Sequence, residues 1–93
     1  MGYAKEEAYE EMISQLITYK SSVTACCSQM KSAATDCVDS THNDPASTKA
    51  NEKLSESIGN ISKSLNVIDS IINALQKELD DIIESNKEGQ RYE

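Results

Sequence analysis

The chain has 93 residues and a formal charge of −7, with tyrosine as its only aromatic residue and three glycines and one proline in all. A chain this short makes a single domain and offers little material for a catalytic cleft. Its acidic balance and scattered Lys and Arg exclude a phosphate-tracking surface, so nucleic acid is not an expected partner. No apolar run approaches the ~20 residues of a membrane span, and a composition so poor in β-formers and breakers suits long helices. The expected fold class is all-α. No apolar stretch of signal-peptide type opens the chain, so a cytoplasmic location is expected, with any exit by a signal-peptide-independent route.

The first helix is expected from about residue 3 to residue 38. Tyr9, Met12, Leu16, Tyr19, Val23, Cys26, Met30, Ala33 and Cys37 alternate at spacings of three and four, the mark of one apolar stripe on a helix. Cys26 and Cys37 read as small hydrophobes on that seam, and Cys27 falls on its flank, where oxidation could join two chains. Polar turn-formers then replace the seam over residues 39–44. Asp44-Pro45 reads as an N-cap followed by proline in the first helical position.

The second helix, expected over residues 45–86, carries the stronger signal. Leu54, Ile58, Ile61, Leu65, Ile68, Ile72, Leu75, Leu79 and Ile82 form an unbroken heptad seam. Gly59 falls on its outer face, at a cost of ~1 kcal/mol relative to alanine. Gly89 suits the helix end, and residues 87–93 are expected to fray. A connection of so few residues turns two long helices back on one another, so the expected architecture is an antiparallel two-helix hairpin.

Folding the chain about residue 42 sets Ile13 and Ile17 level with Val67 and Ile71, all four off the expected seam. Flanked by Tyr9 and Tyr19, they form a candidate partner-binding patch, with which the hairpin would complete a four-helix bundle with a partner or a second copy. The other reading is that they only widen the stripe facing the neighbouring helix. Ten of the sixteen acids fall near the chain ends, against Lys5, Lys77, Lys87 and Arg91. Either a basic partner surface or simple solvation accounts for them.

Chemistry leaves few marks. Cys26 and Cys37, eleven residues apart on one helix, stand ~16 Å from each other, too far to share a zinc ion. His42 has no nucleophile or carboxylate at motif spacing and reads as a turn residue. Phosphate loops and glycine fingerprints are missing. No catalytic residue, cofactor or metal is expected, and the chain reads as a non-enzymatic interaction protein.

The two amphipathic helices of similar length and the short polar turn near residue 42 resemble the WXG-type, ESX-like helical-hairpin proteins of type VII secretion. The Trp-x-Gly turn of that family would fall around Thr41-His42-Asn43, where no tryptophan stands, and its tyrosine-to-acid spacing of four is met only by Tyr3 and Glu7, not at Tyr92. With these departures the chain is most similar to the divergent helical partners of LXG-type toxins. The resemblance implies a targeting or chaperone role in a Gram-positive bacterium, with the helical domain of a secreted effector, or a related small hairpin protein, as partner. The alternative is a self-assembling structural coiled coil, a phage or scaffold component, forming a homodimer through its own seam.

Overall fold

The computed structural model describes the backbone of residues 2–91 and the side chains of residues 5–87. Among them are two helices and no strand: α1, Gly2–Ser40, and α2, Pro45–Arg91. The chain is all-α, as the composition implies. Helix α2 runs through Gly89 to Arg91, beyond the end that the sequence suggested at residue 86. A glycine in helical geometry still makes the backbone hydrogen bonds, and its ~1 kcal/mol penalty does not by itself end a helix. Tyr92 and Glu93, the last part of that expected tail, lie outside the described residues.

Local chemistry sets both ends of the turn. The amide of Asn43 donates to the Val38 carbonyl (2.9 Å) and that of His42 to the Asp39 carbonyl (3.2 Å), the paired bonds of a Schellman motif. His42 and Asn43 hold φ of 53° and 63°, the left-handed geometry that such a motif requires of the residue just past the helix. On the other side, Asp44 Oδ2 accepts from the amides of Ala46 (3.1 Å) and Ser47 (3.4 Å), and the Asp44 carbonyl takes the first helical bond of α2 from Thr48 (2.9 Å). Asp44 is thus the N-cap and Pro45 the first helical residue, whose missing N–H forfeits nothing there.

Two hydroxyls tie the helix ends together. Thr41 Oγ1 stands 2.8 Å from the Cys37 carbonyl and 2.7 Å from Ser47 Oγ, which is itself 2.9 Å from the Asp44 carbonyl. Each hydroxyl has one hydrogen, so when Thr41 donates to Cys37, Ser47 donates to Thr41. The last turn of α1 and the first turn of α2 are joined by that bond.

The contacts divide the chain into two compact units, a turn-proximal unit of Lys20–Asn66 and a terminal unit of Met1–Tyr19 with Val67–Glu93. The turn-proximal unit is a helical hairpin. In the terminal unit the helical segments are again antiparallel: the Asn86 amide donates to Glu6 Oε1, while Ala8, Tyr9 and Met12 surround a groove with Leu75, so that as numbers rise on α1 they fall on α2.

On α2 the covered positions are the expected ones. Leu54, Ile58, Ile61 and Leu65 in the turn-proximal unit and Ile68, Ile72, Leu75, Leu79 and Ile82 in the terminal unit are all buried or half-buried. On α1 the register differs from the expectation. Tyr9, Ile13 and Leu16 are covered in the terminal unit, and Lys20, Val23, Cys27, Ala34 and Val38 in the turn-proximal unit, while Met12, Tyr19, Cys26, Ala33 and Cys37 are exposed. The facing stripe is turned by about half a residue step, ~50°. Cys26 and Cys37 are therefore surface thiols, and Cys27 is the buried one, so a link between chains through Cys27 would require its helices to part. All three are unpaired.

The Gly59 position is open, with no atom within 4 Å of an added Cβ. Gly59→Ala should therefore raise the unfolding free energy by ~0.5–1 kcal/mol. His42→Gly should raise it by ~1 kcal/mol by relieving the left-handed cost at that position. Urea titrations followed by circular dichroism measure both, and a loss of stability in His42→Gly would mean that the imidazole itself holds the turn.

Candidate partner-binding surface

In a helix pair each seam residue is covered on one side only, so large apolar residues off the seam have nothing to pack on. Among the described residues the exposed large hydrophobics are Met12 (49%), Ile17 (52%), Tyr19 (55%), Met30 (37%), Val67 (60%) and Ile71 (42%). Only Met30 belongs to the turn-proximal unit. The terminal unit holds the rest.

The six residues expected to form the partner patch separate into three groups. Ile13, at 7% exposure, is part of the core and is not available to a partner. The reason lies in its neighbour: Met12 and Ile13 both fit an apolar period, and the structure buries the β-branched side chain and leaves the flexible one outside. Tyr9 is half-buried and lines the groove with Ala8, Met12 and Leu75. Ile17, Tyr19, Val67 and Ile71 are exposed, as a docking surface requires.

These four do not share one face. Ile17 and Tyr19 stand two residues apart on α1, a rotation of ~200°, so they point to opposite sides. Tyr19 instead lines up with Met12 and Ala8 at spacings of seven and four. On α2, Val67 and Ile71 precede Leu75 by two turns and one, so their row runs from the groove that Leu75 shares with Met12. Ala8, Met12 and Tyr19 on α1 and Val67 and Ile71 on α2 thus border the same side of the terminal unit. Met12 and Ala8 are the members that sequence reasoning missed. One signal was available for Met12: no charged residue falls between Glu11 and Lys20 on α1.

Charge follows the same division. The terminal unit contains eleven acids and four bases, net −7, and the turn-proximal unit five of each, net zero. All of the chain's net charge thus belongs to the unit that holds the apolar side.

The turn-proximal unit has a groove of its own, about 280 Å³, in which Thr24, Ser28, Lys31 and Ser62 stand around Cys27 and Leu65. Small side chains leave this gap between the helices. The Thr24 hydroxyl is already committed, donating to the Lys20 carbonyl at 2.8 Å, so the groove reads as loose packing. No group of three His, Cys, Asp or Glu side chains among the described residues is placed to hold a metal ion, and no described helix is long and apolar enough to cross a membrane.

Comparison of the sequence with models of known protein families, and of the chain with curated proteins and solved structures, finds no match. The surface stands on its geometry alone.

The two registers of α1 make opposite demands on adjacent residues. Ile13→Glu should cost ~3 kcal/mol or more by burying an unpaired charge, whereas Met12→Glu and Val67→Glu should change stability by no more than ~0.5 kcal/mol. Thermal and urea unfolding of the three variants measures this; an Ile13→Glu protein as stable as Met12→Glu would return the seam to Met12.

Proposed function

We propose that this chain is a non-enzymatic helical interaction protein that docks the apolar side of its terminal unit on the helices of a partner protein and so completes a four-helix bundle. The observation that carries the reading is the concentration of exposed Met12, Tyr19, Val67 and Ile71 on that side. Each such side chain contributes ~1.5–3 kcal/mol when fully buried, a sizeable share of a small protein's stability. A contiguous apolar surface on a small chain marks an interaction site.

The resemblance to WXG-type hairpin proteins gives the partner a setting. In this reading the chain is a targeting factor or chaperone of a type VII secretion system, and its partner is the helical N-terminal domain of a secreted effector of the LXG type. Helix-on-helix docking through apolar residues at three- and four-residue spacing is the recognition mode that the surface suits.

Affinity capture of the tagged chain from its own cells, run beside a Val67→Glu/Ile71→Glu variant, tests both parts. The wild-type chain should retain a large protein with a helical N-terminal domain in near-stoichiometric amount, and the variant should lose it while keeping its helix content. Retention by the variant would overturn the assigned surface. Recovery of the bait alone, as a dimer, would replace the secretion reading with that of a self-assembling coil.

A further inference from the structure

We infer that the occupant of this surface is an amphipathic helix of a different protein that carries Lys or Arg two turns beyond its apolar contact residues. The inference rests on the docking role proposed above and adds the partner's chemistry.

It comes from one line of side chains on α2. Val67, Ile71, Ala74, Glu78 and Asp81 follow one another at spacings of four and three and are all exposed, so they form a single row along the helix. The first three are apolar and the last two acidic. A helix laid along this row meets apolar surface over two turns and then a pair of carboxylates. On α1, Ala8, Met12 and Tyr19 extend the apolar part, and Glu11 follows Ala8 by one turn. Cations on the partner, two turns past its apolar stripe, would face Glu78 and Asp81 when the stripe faces Ile71 and Val67.

A second copy of this chain fits poorly. With two such rows running in opposite directions, Glu78 and Asp81 would lie over Ile71 and Val67 of the other copy and lose water without gaining a cation. With the rows running in the same direction, carboxylate would face carboxylate. Either arrangement also brings together two terminal units of net charge −7, and like-charge juxtaposition is a strong selector against a partner.

The test titrates the full chain with two synthetic helical peptides that share one leucine stripe, the first with Lys and the second with Glu two turns beyond it. The Lys peptide should bind at least about tenfold more tightly, with the advantage shrinking as salt is added. The double variant Glu78→Lys/Asp81→Lys, whose exposed sites leave the seam untouched, should reverse the order. Equal binding of the two peptides, unchanged in the double variant, overturns the charge-selected partner and leaves the docking role standing. Failure of both peptides to bind, with capture unaffected by Val67→Glu/Ile71→Glu, overturns the docking role itself. A dimer of the chain alone that the Val67→Glu/Ile71→Glu variant loses gives the surface to a second copy and overturns the inference.

Discussion

The constraint on which this structure depends is that α1 carries two overlapping apolar seams and α2 only one. Pairs of neighbouring apolar residues recur along α1: Met12 with Ile13, Leu16 with Ile17, Cys26 with Cys27, Ala33 with Ala34 and Cys37 with Val38. A helix can turn only one member of such a pair fully towards its neighbour. The structure buries Ile13, Cys27 and Val38 to differing degrees, and whatever α2 does not cover remains on the surface. In the terminal unit that remainder includes Met12 and Tyr19. The exposed apolar residues of the terminal unit are therefore a direct consequence of the register that α1 takes.

Helix α2 was legible because its seam positions hold Leu or Ile without a break, while the apolar residues beside them, Val67, Ile71, Ala74 and Ile83, cover only part of the helix and make no second seam of equal length. The Asp44-Pro45 start was legible for a similar reason: a short acceptor followed by a residue without an N–H has one use at a helix start, and the structure puts Asp44 Oδ2 on the amides of Ala46 and Ser47. The register of α1 was not legible, since Met12 and Tyr19 satisfy the period as well as Ile13 and Lys20 do. Lys20 in particular argues against the register that forms, because a charged residue rarely marks a seam, yet its long aliphatic stem can lie along apolar surface. The left-handed backbone at His42 and Asn43 was also out of reach, as neither is the glycine that announces such a turn. Of the candidate site, the choice of the terminal unit and of Ile17, Val67 and Ile71 as exposed came from the sequence, whereas the exposure of Tyr19, the loss of Ile13 and the separation of Ile17 from Tyr19 came only with the register.

The two units differ in what accompanies their apolar contacts. Around the turn, Leu54, Ile58, Ile61 and Leu65 of α2 are covered beside smaller α1 residues such as Cys27 and Ala34, and the caps at Asp44 and His42 and the Thr41–Ser47 hydrogen bond add local order. In the terminal unit Ile13 and Leu79 are among the most buried of the described side chains, and this unit carries the net charge of the chain. Apolar burial there works against mutual repulsion among carboxylates, a repulsion that salt screens over a Debye length of ~8–10 Å at moderate ionic strength.

Repulsion of this kind has a bearing on why a hairpin would leave so much apolar surface beside so much charge. A neutral unit with the same exposed residues would satisfy them with a second copy of itself, because an exposed apolar row is indifferent to whose apolar row it meets. In the proposed docking role, carboxylates at Glu78 and Asp81, in line with Val67 and Ile71, would disfavour that option without weakening the row. In that role they would also couple folding to binding: a partner that brought cations would relieve the repulsion while it covered the apolar residues, and any ligand that binds only the folded form raises its stability by mass action. Solvation alone accounts for Glu78 and Asp81 in the isolated chain, since both stand turns away from the end of α2 at Arg91; in the proposed docking role the same carboxylates would instead be met by cations of the partner.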